Sequence, residues 1–436
     1  MKIAHILRIS LISAALGCSP PSSRNPVTLT YLDVEWDTPD AMPGLAKDLE
    51  DFTRETGIQI RRLPRPDGSL NQLVLWRELL QKGGSAPDVV GIDVIWSGIL
   101  NEHLLDLKPY FAGELAAQNP GVLESYTVDG KVIAIPHHAY VGVLYYRPDL
   151  LRKYRFREPP KTWQQLEAMA TRIQAGERAA GKKDFWGYVW QGGIDEDLTC
   201  NGLEWQISEG GGRIIERDKT ISVNNPQTVR AWQRATRWVG SISPPGVVAY
   251  GKWDAQNTWA SGNAAFLRTW MGDYGLLSRS WPLSASPQIN FSEFGMTNVP
   301  GGTANQGATL GGNGLAVSKT SSHQSEALEL VRFLIRRDIQ RMREADHFAA
   351  PANIEIFELP PTFTLYSGIA KSQNRRATLI VRPSAQAGSK YEEITRAYIR
   401  EVHSVLSHEK SAAAAAAELE RQLVEITGFP TGAPHK

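Results

Sequence analysis

The segment Pro87-Asp88-Val89-Val90-Gly91-Ile92-Asp93-Val94-Ile95-Trp96 decides the fold class of this 436-residue chain. Its near-continuous apolar run is typical of a strand that is buried on both faces, as in a sheet covered by helices. Upstream, β-rich segments at 27–34 and 58–60 alternate with helical patterns at 45–52 and 70–80. This β-α-β-α-β order predicts an α/β fold with a mostly parallel sheet.

Helical patterns dominate the rest of the chain. A helix is predicted to open at Lys161-Thr162-Trp163, and others at 327–335 and 391–406. An alanine-rich segment at 412–423 predicts a final helix of high intrinsic propensity. A glycine-rich turn leads into a strand at 311–317, and no repeat of fixed period is present in the sequence.

The first seventeen residues have the pattern of a secretory signal. Basic residues precede and interrupt an apolar run at 9–16, which is too short to span a membrane as a helix. The run ends at Ala15-Leu16-Gly17-Cys18, which resembles the lipobox of bacterial lipoproteins, although that pattern usually begins with leucine. We expect a signal peptide at 1–17, lipidation of Cys18, a flexible tether at 18–26 and a location outside the cytoplasm, anchored to the cell membrane. The alternative is an ordinary cleaved signal that ends near a cysteine.

Composition limits the partners and the means of stabilisation. Lys and Arg number 47 against 46 Asp and Glu, and the predicted signal removes Lys2 and Arg8. The mature chain therefore has no excess of basic charge for nucleic acid or an anionic membrane face. Beside a lipidated Cys18, Cys200 is the only other cysteine, so we expect a small buried apolar residue and no internal disulfide. The mature length exceeds what one core usually supports and predicts two domains.

Six segments together resemble one known family, the ABC-transporter extracellular solute-binding proteins of the sugar-binding group. They occur in the family's order and extend over essentially the whole predicted mature chain. The segments are 87–96, 130–136, 144–150, 160–163, 262–270 and 311–317. Within that family, Leu63-Pro64-Arg65, Glu196-Asp197-Leu198 and Val381-Arg382-Pro383 resemble segments that line the cleft of trehalose/maltose-binding lipoproteins.

The resemblance implies a two-lobe fold of the periplasmic-binding-protein type, in which each lobe is discontinuous and a hinge closes both over a ligand. The N-lobe would comprise 27–135 and 299–336, and the C-lobe 136–298 and 337–429. The expected function is that of a monomeric receptor that presents a sugar to the membrane permease subunits of an ABC importer. The resemblance implies no metal and no cofactor.

Four acidic residues are candidates for accepting hydrogen bonds from sugar hydroxyls. By resemblance, Asp93 accepts from a pair of hydroxyls and Glu196 belongs to the sugar loop. A helix cap is the alternative for Asp93, and a solvated loop is the alternative for Glu196. Asp37 follows the first strand, where ligands approach parallel sheets, and Asp254 precedes a helix; capping is the alternative for both.

Basic, aromatic and glycine residues complete the predicted ligand-binding set. Arg65, which lies between two prolines, and Arg382 present forked guanidinium donors, although Arg65 could be an ordinary surface arginine. Tyr140 departs from the amide that close relatives carry at this position, and it can hydrogen-bond or stack. The remaining candidates are the aromatic rings of Trp96, Trp253 and Trp270, which can stack on a sugar or fill the core, and the close-approach glycines Gly311 and Gly312.

The sequence also permits other functions. The same fold could bind a glucosyl-polyol, a maltodextrin or another small solute, or serve a sensor or adhesion lipoprotein. A glycoside hydrolase could use two of the carboxylates of Asp93, Glu196 and Asp254, although the resemblance is to binders that are not enzymes. No common hydrolase, nucleotide-binding or zinc motif occurs in the sequence, and His137-His138 make a weak metal pair.

Overall fold

The computed structural model describes residues 27–34, 43–66, 69–273, 294–347, 352 and 378–435. The predicted signal peptide, Cys18, the tether and Asp37 lie outside these ranges. No helix in the described part of the chain is long and apolar enough to cross a bilayer.

The strands of the described residues form one large mixed sheet and a small hairpin. The nine-stranded sheet has the order β2-β1-β3-β10-β6-β8-β7, with β11 on β10 and β9 on β6, and β4 pairs with β5. The strands are β1 (Thr28–Leu32), β2 (Gln59–Arg62), β3 (Val89–Asp93), β4 (Thr127–Val128), β5 (Lys131–Val132), β6 (Ile135–Tyr146), β7 (Trp186–Val189), β8 (Ala264–Trp270), β9 (Gly295–Asn298), β10 (Gly307–Val317) and β11 (Thr378–Ile380).

Helices cover this sheet and account for most of the remaining described residues. They are α1 (Pro43–Thr56), α2 (Ser69–Leu80), α3 (Ser97–Leu100), α4 (Ala112–Leu115), α5 (Pro120–Ser125), α6 (Pro148–Lys153), α7 (Trp163–Ala179), α8 (Glu196–Ser208), α9 (Pro226–Trp238), α10 (Lys252–Thr258), α11 (Gln324–Leu334), α12 (Arg337–His347), α13 (Ser384–Ala387), α14 (Tyr391–Leu406) and α15 (Ala412–Thr427).

The predicted parallel sheet occurs at one end of the molecule. Strand β1 pairs in parallel with β2 and with β3, the strand predicted from segment 87–96. On its other side β3 pairs antiparallel with β10, which places Asp93 opposite Asn313. The sheet is therefore mixed, because the long strand β10 runs antiparallel to β3 and β6.

Strands β6 and β10 join two α/β lobes. Residues 135–141 of β6 pair with 310–315 of β10, and β10 continues along β3 in the first lobe. Residues 142–146 of β6 pair with β8 and β9 in the second lobe. A register shift between Asn313 and Gly314 interrupts the β10–β6 ladder, and such irregularities bend the strand that carries them.

Helix α12 packs with the first lobe, whereas the predicted C-lobe includes residues from 337 onward. Ile339 of this helix is buried in the same apolar cluster as Phe52 of α1. The ring of Phe52 meets the edge of Phe333 with centroids 5.3 Å apart. Just before α12, Arg336 lies 2.8 Å from the Glu55 carboxylate. Burial of Ile339 in this cluster therefore places α12 with the first lobe.

Tryptophan fills much of the core. Eight of the eleven tryptophans in the described ranges are buried, which leaves Trp186, Trp253 and Trp270 with exposed surface. In the second lobe, buried tryptophan rings pack on one another edge to face or tilted at centroid distances of 5.0 to 5.7 Å, as in the pairs Trp190–Trp205 and Trp205–Trp238. Most tryptophans therefore stabilise the fold, and few can meet a ligand.

Candidate functional site

The carboxyl ends of β1, β2 and β3 place Asp33, Arg65 and Asp93 at one edge of the sheet, since these strands are parallel. Asp33 is buried, and its Oδ2 accepts a hydrogen bond from the Tyr31 hydroxyl at 2.6 Å. A side chain at Gly91 would meet Asp33 Oδ1 at 2.7 Å, so Gly91 leaves room for this carboxylate. Asp33 was not identified from the sequence, because a polar residue at a strand end has no distinguishing pattern.

Asp93 presents a partly open carboxylate at the end of β3, with 30% of its side chain exposed. Its Oδ1 accepts from the Ile95 amide at 3.1 Å and lies 3.9 Å from Arg382 Nη2. Loss of water around the carboxylate raises the pKa of Asp93, while the charge of Arg382 opposes that rise. The carboxylate thus stabilises the turn after β3 and keeps exposed surface that a ligand can reach.

Arg382 is the buried cation of the site. Its Nη1 donates to Glu196 Oε1 at 2.8 Å, and its Nη2 donates to the Leu310 carbonyl of β10 at 3.2 Å. Burial opposes the charge of Arg382, but the surrounding acidic groups outweigh it and raise the pKa of the guanidinium further, so it stays charged. Arg382 connects the end of β3, strand β10 and the start of α8.

Glu196 lies behind Arg382, with 19% of its side chain exposed. Besides Arg382, its carboxylate accepts from the hydroxyl of Tyr391, and its Oε2 accepts from Thr395 Oγ1 at 2.7 Å. This geometry gives Glu196 a role in orienting Arg382, and its direct contact with a ligand stays a prediction.

Trp270, at the end of β8, is a partly exposed aromatic side chain that lies against β10. Its Nε1 donates to Asp197 Oδ1 at 3.0 Å, and the Arg268 guanidinium lies over the ring at 4.5 Å from its centroid. The carbon edge of the ring lies against Gly311, where a Cβ atom would be only 3.1 Å from Trp270 Cζ3. The partly exposed ring is therefore held in one orientation.

The two predicted glycines, Gly311 and Gly312, make room for different neighbours. Gly311 pairs with Tyr140 and makes room for Trp270. Gly312 has φ of +142°, and a side chain there would meet the His138 carbonyl at 2.2 Å. The Gly312 carbonyl accepts from the Val94 amide at 3.1 Å and from the Tyr126 hydroxyl at 3.2 Å. Close packing of β10 against β3 and β6 therefore explains Gly312.

Three further predicted ligand contacts, Trp96, Asp254 and Trp253, have different surroundings. Trp96 is 1% exposed and packs against Trp76 with ring centroids 5.6 Å apart, so the core explains it. Asp254 accepts from the Gly251 amide at 2.9 Å and caps α10, which was its alternative interpretation. Trp253 is 41% exposed on the same helix, beside Lys252. The Trp96 amide donates to the Asp93 carbonyl at 3.0 Å, so its backbone belongs to the turn after β3 while its ring packs in the core.

Two ionic groups behind Trp270 were not identified from the sequence. Lys252 Nζ lies 2.7 Å from Asp273 Oδ1, and Asp273 Oδ2 accepts from the Trp270 amide at 3.2 Å. The Arg268 guanidinium and the Glu204 carboxylate form a fully buried pair, with Nη2 and Oε1 2.6 Å apart. Both pairs join residues far apart in the chain, so no local pattern could have revealed them.

The described residues contain no group of three or more His, Cys, Asp or Glu side chains placed to hold a metal ion. His137 and His138 are buried and their rings stack at 4.1 Å.

Comparison with known proteins gives a consistent result. The family model for bacterial extracellular solute-binding proteins matches residues 35–341. A probable ABC transporter-binding protein of Deinococcus radiodurans is 35% identical over 98% of this chain and 99% of its own length.

Solved structures share the fold. The maltose-bound protein MalE3 of T. maritima superposes with a TM-score of 0.78 at 28% identity, covering 92% of this chain and all of that one. The GacH receptor of Streptomyces glaucescens superposes with a TM-score of 0.78 at 20% identity over 94% of this chain and all of that one. The fold is thus the predicted two-lobe, type II periplasmic-binding-protein fold, and the chain belongs to the bacterial extracellular solute-binding protein family.

Proposed function

We propose that this protein is the receptor of an ABC importer and that it captures an α-linked disaccharide, trehalose or maltose, between its two lobes. The observation that carries the proposal is the convergence of a carboxylate, a guanidinium and an indole on strand β10. Arg382 bonds to Leu310, Trp270 lies against Gly311, and Asp93 is opposite Asn313.

These three groups suit a neutral sugar. The partly open Asp93 carboxylate can accept from hydroxyls, Arg382 can donate, and Trp270 can cover an apolar sugar face. The cations Arg382 and Lys252 are paired with Glu196 and Asp273, which disfavours a free anion as the ligand. The maltose bound by the T. maritima relative supports the same ligand class. A glucosyl-polyol or a maltodextrin is the nearest alternative.

The location and partners belong to the same proposal. Lipidation of Cys18 and the tether at 18–26 would hold the receptor at the outer face of a cell membrane. Hinge closure would then present the sugar to permease subunits, whose separate ATPases supply the energy. The receptor itself would act as a monomer without metal or cofactor.

Calorimetric titration of the chain from Ser19 onward with trehalose, maltose, sucrose and a glucosyl-polyol tests the ligand class. One-to-one binding of one disaccharide would support the proposal. A folded protein that binds none of the four would contradict it.

We propose that the protein is not a glycoside hydrolase. Two of the three carboxylates considered for hydrolysis have structural partners, Glu196 with Arg382 and Asp254 with the cap of α10. Incubation with each disaccharide should leave it intact, and release of monosaccharide that depends on Asp93 would overturn this view.

Replacing Trp270 by alanine should weaken disaccharide binding by about 1–3 kcal/mol, because stacking and burial of one large ring are lost. Titration calorimetry measures the change. Trp186→Ala is the matched control. The Trp186 ring, on β7, is also partly exposed and lies under an arginine, Arg178. An unchanged dissociation constant for Trp270→Ala would remove this ring from the site.

Disaccharide affinity should fall when pH is lowered through the raised pKa of Asp93. Protonation removes a charged acceptor, and it begins at a higher pH than for an exposed aspartate because burial disfavours the ionised form. Calorimetric titrations at about one-unit intervals between roughly pH 4 and pH 8 measure how the affinity depends on pH. The Asp93→Asn variant should lack this dependence, and an identical pH profile in both proteins would contradict the prediction.

A further inference from the structure

We infer that Asp197 is a positioning residue that holds Trp270 in the orientation needed for stacking. This inference rests on the proposed sugar-binding function but concerns a residue that does not itself meet the sugar. From the sequence, Glu196 is the predicted ligand contact, and Asp197 is only its neighbour in the same segment.

The indole ring of Trp270 is held at both ends and over one face. Asp197 Oδ1 accepts from Nε1 at 3.0 Å at the polar end of the ring. The opposite edge, formed by Cε3, Cζ3 and Cη2, lies 3.1 to 3.5 Å from the position of a Cβ atom on Gly311. The Arg268 guanidinium lies 4.5 Å from the ring centroid. Of these contacts, only the one to Asp197 is a directed hydrogen bond.

The first turn of α8 explains how Asp197 comes to face Trp270. Asp195 caps the helix by accepting from the Glu196 amide at 2.7 Å. The next two side chains reach different partners: Glu196 accepts from Arg382, and Asp197 accepts from Trp270. A carboxylate in this position is also stabilised by the positive end of the helix dipole. One helical turn therefore orients both the donor and the stacking ring of the proposed site.

The bond to Asp197 has a consequence for the ligand class. Because the indole N–H is already donated, Trp270 offers a ligand an apolar face and no hydrogen bond. Hydroxyls must then be met by Asp93 and Arg382. This division favours a ring with a C–H face and hydroxyls at its edges over a ligand that presents an acceptor to the indole.

Removing the bond should free the ring and weaken binding. Ordering a free side chain on binding costs affinity, and we expect Asp197→Ala to raise the dissociation constant roughly 2- to 10-fold. Asp197→Asn should stay close to the parent protein, because the amide oxygen can accept from Nε1. Asp195→Asn is the matched control, since it removes the same charge from the same helix end and keeps a good cap.

The experiment combines affinity with a direct readout of the ring. The full chain is labelled with 5-fluorotryptophan, and the Trp270 resonance is assigned by its loss in Trp270→Phe. In the ligand-free protein, Asp197→Ala should shift or broaden that resonance, whereas Asp197→Asn and Asp195→Asn should leave it nearly unchanged. An unaltered resonance in Asp197→Ala would overturn the inference.

A double-mutant cycle separates positioning from direct contact. If Asp197 acts through the ring, Asp197→Ala should cause no further loss of maltose or trehalose affinity in the Trp270→Ala background. A full additional loss there would mean that Asp197 meets the sugar directly, and would also overturn the inference. If the parent protein binds no sugar, the proposed function fails while the fluorine spectra still decide the role of Asp197.

Discussion

Replacing Glu204 by leucine is expected to destabilise the folded protein by about 3–5 kcal/mol, because the buried Arg268 guanidinium would lose its countercharge. Both side chains are fully buried, and the two bonds between them measure 2.6 and 3.0 Å. Glu204 Oε1 also accepts from the amide and the hydroxyl of Thr309, at 3.0 and 2.6 Å. The substitution therefore leaves a charge and two donors without their acceptor in the core. Urea unfolding measures the loss.

The control is the double variant Glu204→Leu with Arg268→Met, which removes both charges and keeps apolar volume. It should recover most of the lost stability, since a buried ion pair often contributes little net stability over apolar residues. A single variant that unfolds at the urea concentration of the parent protein would contradict the prediction. If the double variant is as unstable as the single one, the loss of stability comes from the missing bonds to Thr309 and from altered packing.

The Asp93→Ala variant is expected to bind the disaccharide on the order of 100-fold more weakly. Two hydrogen bonds from hydroxyls to a charged group contribute about 3 kcal/mol together, and each 1.4 kcal/mol is tenfold in affinity. The loss should be at least as large as that for Trp270→Ala, because the hydroxyls would stay unpaired in a closed cleft. Titration calorimetry at neutral pH measures both variants.

Stability distinguishes a loss of binding from a loss of folding. The raised pKa of Asp93 means that the folded state tolerates the ionised carboxylate less well than the unfolded state does. Above that pKa, the ligand-free Asp93→Asn variant should therefore be at least as stable as the parent protein while binding more weakly. A clear decrease in Tm together with unchanged affinity would remove Asp93 from the site and assign it a structural role.

Local patterns predicted much of the architecture. The apolar run at 87–96 became β3, the helix signal at Lys161-Thr162-Trp163 became α7 capped by Thr162, and the alanine-rich segment became α15. These predictions succeed because burial on both faces, a capping hydroxyl and helix propensity depend on neighbours in sequence. The glycine-rich segment at 311–317 lies wholly inside β10, so the predicted strand is present and the predicted turn before it is not.

Tertiary structure decided how the site residues are used. Trp96 and Trp270 are the same residue type at the ends of strands, yet one packs in the core and the other lies partly exposed beside Asp197. Glu196 and Asp197 are adjacent acids, yet each meets a different partner distant in the chain.

The sequence by itself determined the class of fold, the family and the segments that carry the candidate site residues. It did not determine which acid faces a ligand, which tryptophan is covered, or which lobe holds α12. Those properties depend on contacts such as Glu204–Arg268, Asp197–Trp270 and Glu196–Arg382, which join residues 64, 73 and 186 positions apart. The burial and charge of a side chain are set by whatever packs against it, and a local pattern carries no record of a partner that only folding brings near.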